Sequence, residues 1–387
     1  MKAILGKLQG DKVIWFVVAF LSLFSILAVY SSTGTLAYRY QAGNTEYYLF
    51  KHFIIMVMGL FLMFVAHKIK YTYYSRLSQL ALFIAIPLLV LTLLIGTNIN
   101  EANRWLTLPV INITFQSSDF AKLALIIYIA RMLTKKQDRI KDLKSAFLPI
   151  ILPVIVVCAL IMPANLSTAI ILFATSVVLM FIGRVSMKYI LALLFMGMIL
   201  MSVFIVVLLN SPDTGRLYTW KSRIENFVNK DVGDTYQVDQ AKIAIATGGV
   251  TGKLPGNSSQ RNFLPQAYSD FIYAIIVEEY GLIGGFIIVL LYLILLFRGV
   301  RIAHRSPGTF GALLAAGLTF SLVFQAMINI AVNVGLLPVT GQPLPMVSMG
   351  GTSLWFTSLA IGIILSVSRK VEELELETKE GGEYVPT

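Results

Sequence analysis

Apolar residues run along this chain in blocks of about twenty, the length a helix needs to cross the hydrocarbon of a bilayer. Polar residues gather in the gaps between them. Ten such blocks fall near residues 13–31, 47–67, 77–97, 117–133, 146–163, 167–183, 188–209, 270–298, 308–335 and 347–368. The pattern predicts an all-α, polytopic membrane protein with about ten transmembrane helices, forming a single membrane domain over residues 1–387. The fourth block is the weakest, because SSDFAKLALIIYIARML starts polar and carries Asp119 and Lys122 in its first turns. The first block, Val13 to Ala28, is too long for the apolar core of a secretory signal and no A-x-A site follows, so it reads as a span.

The gaps divide by charge. Most Lys and Arg lie in the N-terminal segment, in every second gap and at the C-terminus, as cytoplasmic segments do. Both termini are therefore expected in the cytoplasm, including a short acidic tail over residues 371–387. The longest gap, residues 210–269, is expected as one extracytoplasmic loop. Helical periodicity in LYTWKSRIENFV and YQVDQAKIAIAT predicts short helices within it.

Composition fits that reading. Hydrophobic residues make up 57% of the chain and charged residues 13%, whereas a soluble domain is about a quarter charged. The net charge of +11 is accounted for by topology, so no nucleic-acid partner is expected. Cys158 stands alone in an apolar run, and His52, His67 and His304 are scattered. No metal-ligand spacing is present.

Polar residues inside or beside the apolar blocks need an explanation, because unpaired charge in hydrocarbon is costly. Asp270 precedes the apolar run FIYAII, behind Pro265 and Ser269. It reads either as a helix N-cap or as a catalytic base at the outer face. Glu278 and Glu279 sit more than two turns into the same helix, and at least one of them must pair with a cation or line a polar cavity. Arg104, Lys122, Arg223, Lys253 and Arg261 fall on the outer side. Each alone suits interfacial snorkelling, but as a set they suit a phosphate or pyrophosphate ligand. Asn257 and Gln260 share the loop of Lys253. The glycines at 248, 249, 252 and 256 would let backbone approach a ligand closely, with neither Walker nor Rossmann spacing. The run LLPVTGQPLPMVSMGGTSLW has too many prolines to stay helical and is expected as a re-entrant or surface loop, serving either packing or a substrate groove.

Three stretches together carry a resemblance: NRWLTL with FQSSDFAKL, then GGVTGKLPGNSSQRNFLPQAYSDFIYAIIVEEYG, then PVTGQPLPMVSMGGTS with LSVSR. Along nearly its whole length the chain resembles the SEDS family (shape, elongation, division and sporulation), the FtsW/RodA-like proteins. The resemblance implies a ten-helix peptidoglycan glycosyltransferase of the bacterial cytoplasmic membrane. Such an enzyme polymerises the disaccharide of lipid II into glycan strands with inversion and releases undecaprenyl pyrophosphate. It implies a class B penicillin-binding protein, a transpeptidase, as partner, alongside other division or elongation proteins and membrane lipids. The division branch, at the septum, is favoured over the elongation branch, and a lipid II flippase is the rival from another class. The family's essential acid falls on Asp270. Substrate-binding roles are expected for Arg104, Lys122, Arg223, Lys253, Asn257, Gln260, Glu278 and Glu279, with or without a divalent cation such as Mg²⁺. Two motifs depart from the family pattern. P-E-A-H-T-D reads PQAYSD, placing Gln266 and Tyr268 where Glu and His are usual. P-D-L-G-T-A reads PANLSTA, placing Asn165 where a carboxylate is usual.

Overall fold

The computed structural model of the protein describes residues 9–40, 43–99, 102–108, 113–210, 220–223, 225 and 236–381. Ten helices occupy the ten apolar blocks. In chain order α1 is Lys12–Ser32, α2 the short Gly34–Tyr40, α3 Thr45–Lys68 and α4 Tyr71–Ile95. They continue with α5 Ser117–Lys135, α6 Leu148–Ile161, α7 Leu166–Ile182 and α8 Met187–Leu209. Then come α9 Tyr236–Gly248, α10 Ile272–Arg305, α11 Thr309–Asn333 and α12 Thr352–Gly381. Of the helices over the ten blocks, eight are long and apolar enough to cross a membrane by length and composition, α6 when counted with the π-helical turn before it as Leu143–Ile161. The other two are α7, which is apolar but shorter, and the polar-headed α5.

Burial separates the centre from the rim. The most apolar windows of α11 and α12 are each 72% buried, whereas that of α8 is 11% buried. These central helices carry Ser, Thr, Asn and Gln among their apolar residues, whereas α8 buries few residues, Ile190 and Leu193 among them, and presents most of its surface outward. Such a gradient is what lipid permits, since apolar surface facing acyl chains costs nothing and polar groups must be satisfied inside the bundle.

Helix ends follow local chemistry. Asp11 Oδ1 accepts the N–H groups of Val13 and Ile14 at the start of α1, at 2.9 and 3.2 Å. Asn44 accepts from Tyr47 at the start of α3, and Asn165 accepts from Thr168 at the start of α7. Asx residues favour such positions because their short side chains reach the unsatisfied amides of the first turn.

Two details were not anticipated. Between α4 and α5 the chain forms a small antiparallel meander, β1 Thr97–Ile99, β2 Ala102–Leu108 and β3 Ile113–Phe115, in the order β1-β2-β3. Two of these strands are only three residues long and the third, ANRWLTL, does not alternate apolar with polar, so no period-2 signal marks them, but they matter because Arg104 lies on β2. In addition, α12 stays helical through the acidic segment as far as Gly381. Of the two short helices expected in the long loop, the second is α9. The first lies largely outside the described residues, although Trp220–Arg223 is helical.

Candidate active site

The site is built where α10 begins. Asp270 does not cap that helix. The N-cap position is Phe271, with no side-chain cap, and Asp270 Oδ1 instead accepts the Ser269 hydroxyl at 3.0 Å. Capping comes from another helix: Asn333, at the end of α11, accepts the Ala274 N–H on Oδ1 at 3.1 Å. Its amide nitrogen donates to the Asp270 carbonyl at 3.0 Å, and Asn329 Nδ2 donates to the same carbonyl at 2.8 Å. The backbone of Asp270 is thus fixed by two side chains of α11, and its carboxylate is left free of the helix terminus.

The loop between α11 and α12 closes over this turn. Asn329 also donates to the Gln342 carbonyl at 2.7 Å, Ser348 donates to the Ser269 carbonyl at 2.6 Å, and the Met349 N–H donates to the Tyr268 carbonyl at 3.0 Å. Buried Gln342 reaches across to α7, donating to Asn165 Oδ1 at 3.2 Å and Thr168 Oγ1 at 2.8 Å. Asn165, where the family pattern has a carboxylate, therefore keeps the acceptor role without charge. Gly341 sits at φ +64°, a conformation that favours glycine. A Cβ there would lie 3.5 Å from Asp270 Oδ2 and 3.6 Å from Arg104 Nη1, so the acid and the arginine flank one point of bare backbone.

Two of the expected cations gather here. Arg104 Nε donates to the Ala164 carbonyl at 2.8 Å, and Arg223 Nη1 to the Val339 carbonyl at 3.2 Å. The surface of Asp270 is only half-buried, but the protein packed around it strips water from the charge. That desolvation raises its carboxyl above the usual carboxylate range, against the Ser269 hydroxyl and the Arg104 and Arg223 charges, which lower it. Burial lowers the Arg223 guanidinium, while the Asp270 charge raises it.

The remaining expected residues lie in two other clusters. Lys122 forms an ion pair with Asp119 at 3.5 Å and donates to Gln325 Oε1 at 2.8 Å. Gln325 in turn donates to the Pro343 carbonyl at 2.9 Å, which ties the pair to the loop over Asp270. The second cluster surrounds Glu278 and Glu279, both buried and about 12 Å along α10 from Asp270 at 1.5 Å per residue. Glu278 accepts Lys253 Nζ at 2.6 Å, Ser259 Oγ at 2.9 Å, the backbone N–H groups of Ser259 and Gln260 at 3.2 Å, and the Ser258 hydroxyl. Glu279 accepts the Ser31 hydroxyl, and Arg261 donates to the Ser31 carbonyl at 3.2 Å. Asn257 donates to the Lys253 carbonyl at 3.0 Å.

The glycine-rich loop has a partner, and it is backbone. α10 is broken at Gly281, whose φ of 71° and ψ of −172° are non-helical. Strands of loop backbone repair the break: Leu282 N–H donates to Gly249 O at 2.9 Å, Ile283 N–H to Val250 O at 3.3 Å, and Lys253 N–H to Glu278 O at 3.0 Å. A Cβ on Gly252 would overlap the Glu279 carbonyl, and one on Gly281 would overlap the Val250 carbonyl. The glycines at 248–252 thus admit α10, where the sequence suggested a ligand. Gly249, by contrast, has open space at φ +58°. Gly249→Ala should cost only the left-handed backbone penalty of about 1–2 kcal/mol. Gly252→Ala, at φ +81° and against backbone, should cost more, read as a larger fall in Tm by thermal unfolding in detergent.

Sequence reading missed Asn329, Asn333, Gln342 and Ser348. A signal was present, since Gln325, Asn329 and Asn333 recur every four residues on one face of an otherwise apolar helix. Among the described residues, no group of three or more His, Cys, Asp or Glu is placed to hold a metal ion.

Similarity to known proteins covers the whole assembly. A probable peptidoglycan glycosyltransferase FtsW of Trichlorobacter lovleyi is 34% identical over 379 residues, 96% of each chain. Stage V sporulation protein E of Bacillus subtilis is 33% identical over 370 residues, 94% of this chain and 98% of the relative. A chain of a solved peptidoglycan synthase complex, in which polymerization and crosslinking are coordinated, superposes with a TM-score of 0.74 at 25% identity, covering 94% of this chain and 98% of its own. The fold is shared with the rod shape determining protein RodA of Thermus thermophilus, with a TM-score of 0.67 at 23% identity and coverage of 94% and 98%. The family model for cell cycle proteins of the FtsW, RodA and SpoVE type matches residues 11–373, so this chain belongs to the FtsW/RodA/SpoVE family.

Proposed function

We propose that this protein is a peptidoglycan glycosyltransferase that polymerises lipid II, with Asp270 as its general base. The observation that carries the reading is the state of that carboxylate. Asn333 takes over the cap of α10, burial weakens the acidity of Asp270, and Arg104 faces it across Gly341. A carboxyl with a raised pKa is a stronger base than an ordinary aspartate. The names of relatives at 31–34% identity support the activity and its place in cell division.

In the proposed step the acceptor sugar hydroxyl attacks the anomeric carbon of the donor. Its proton passes to Asp270, the new glycosidic C–O bond forms, and the C–O bond to the lipid pyrophosphate breaks with inversion. The leaving group carries its own negative charge away, so a second protein acid is not needed. Arg104 and Arg223 offset that charge, in a place where preorganised cations act without reorganising. Lys253, Glu278, Glu279, Asn257 and Gln260 bind the loop to α10 in this reading, and Lys122 holds the polar interior of the bundle. A transpeptidase of the class B penicillin-binding type is the proposed partner, supported by the similarity to a synthase complex that couples polymerization to crosslinking. The protein acts as a multi-pass membrane enzyme, and at the septum if it serves division.

The purified protein, given lipid II and its transpeptidase partner, should produce glycan polymer. Absence of polymer together with movement of lipid II between leaflets of a vesicle would replace this reading with a lipid carrier. The pH dependence is a sharper check. Asp270 accepts a proton only when ionised, and its pKa lies above the ordinary 3.8. The rate of polymerisation should therefore rise with pH along a limb displaced upward from 3.8, and a limb at or below that value would remove Asp270 as the base.

A further inference from the structure

A polar cavity of about 280 Å³ opens at the opposite end of the bundle, beside the start of α1 and the end of α10. It is lined by the first turn of α1, the last turns of α10 and the extension of α12. Three arginines, Arg298, Arg301 and Arg305, project into it from α10. The outer two are held: Arg298 Nε donates to Asp11 Oδ2 at 2.7 Å, and Arg305 Nη1 to Glu375 Oε1 at 2.8 Å. The Gly10 N–H donates to Glu372 at 2.5 Å, closing the third side. Arg301, between the two held arginines, and Lys12 across the cavity have no hydrogen bond or ion pair among the described residues, and both are exposed.

Their positions say what faces them. Arg301 lies four residues beyond Phe297, and Lys12 four residues before Phe16, so each cation shares a helix face with an aromatic ring. Those rings are 64% and 57% exposed on the outside of two helices packed against one another. Val300 and Val13 beside them are also exposed. The cavity is thus polar and cationic at its floor, and the exposed rings of Phe16 and Phe297 lie one helical turn beyond its lining on α1 and α10. A soluble anion would use only the floor. A phosphate carried on acyl chains would use both.

We propose that this cavity binds the phosphate headgroup of an anionic phospholipid, with Arg301 and Lys12 as its charged contacts and its chains along Phe16 and Phe297. The held arginines set the walls, and their ion pairs to Asp11 and Glu375 keep the free charge at Arg301. The bound lipid would join α1, α10 and α12 at the end remote from Asp270.

Native mass spectrometry of the full chain in detergent, titrated with phosphatidylglycerol or with phosphatidylcholine of the same acyl chains, tests the site. Phosphatidylglycerol should be retained in preference. Arg301→Gln should weaken that retention about fivefold, the equivalent of about 1 kcal/mol per basic side chain at a membrane surface. Lys12→Gln should act in the same direction, and Arg301→Lys should retain most of the binding. Equal retention of the two lipids, or unchanged retention in both Gln variants, would overturn the proposal. Displacement of phosphatidylglycerol by low-millimolar inorganic phosphate would overturn the lipid source and leave a soluble-anion site.

Discussion

Asp270→Asn should lower the polymerisation rate by about 10²- to 10⁴-fold, the usual worth of a positioned general base, while leaving the thermal unfolding temperature close to wild type. Both halves of that expectation come from the geometry. The carboxylate is the group that would accept the proton, and an amide in its place cannot. The contacts that hold the turn use the Asp270 carbonyl, which accepts from Asn329 and Asn333, and these persist in the variant. Among the described residues, the side-chain hydrogen bond at stake is that from Ser269, which an amide oxygen can still accept. Polymer formation from labelled lipid II, followed alongside thermal unfolding, checks both. Polymer at the wild-type rate would end the role of Asp270 as base. Loss of folding in the Asn variant would instead make it a structural residue.

Lys122→Met should have the largest effect on stability, about 3–5 kcal/mol, because it strands a buried carboxylate. Asp119 is 4% exposed and its second oxygen has no hydrogen-bond partner among the described residues, so no other side chain described there pairs with its charge. The variant also frees Gln325, whose other end holds the Pro343 carbonyl. The double variant Asp119→Asn with Lys122→Met should recover much of the loss, since removing both charges of a buried pair is far cheaper than removing one. A role for Lys122 in substrate binding gives a different signature: KM rises, Tm holds, and the double variant recovers nothing. Thermal unfolding of the three proteins separates the two.

These residues show what could be read from the chain and what could not. The ten blocks of about twenty apolar residues predicted the helices because lipid imposes one length and one satisfied-backbone rule on every span. Asp270 stood out for the same reason, as a charge at the start of such a block. Its role as a cap was legible too, and misleading: the spacing of Ser269 and Asp270 before FIYAII is that of a capped helix, but the cap is Asn333, about sixty residues away in sequence. The glycines were expected to let backbone approach a ligand; at Gly248 and Gly252 the group approached in the structure is the backbone of α10 near its break, which no local pattern reveals. At least one of Glu278 and Glu279 was expected to pair with a cation or line a polar cavity, and the pairing of Glu278 with Lys253 is set by the fold of the loop. The meander carrying Arg104 was missed because β1 and β3 are three residues each and the seven residues of β2, ANRWLTL, do not alternate apolar with polar.

The break at Gly281 also fixes an altitude. Counting upward from Arg298, the last charged residue before the apolar stretch of α10, the roughly 30 Å of bilayer hydrocarbon takes about twenty residues. That places the rim near Glu278, so the buried glutamates and the glycine joint lie at the boundary. Asp270 then stands about 12 Å higher, at the level of lipid headgroups. A sugar carried on a membrane-embedded chain already rides at that height. The joint therefore works as a spacer: below the break α10 is anchored in oil, and above it the turn that carries Asp270 is held out at the level of the headgroups.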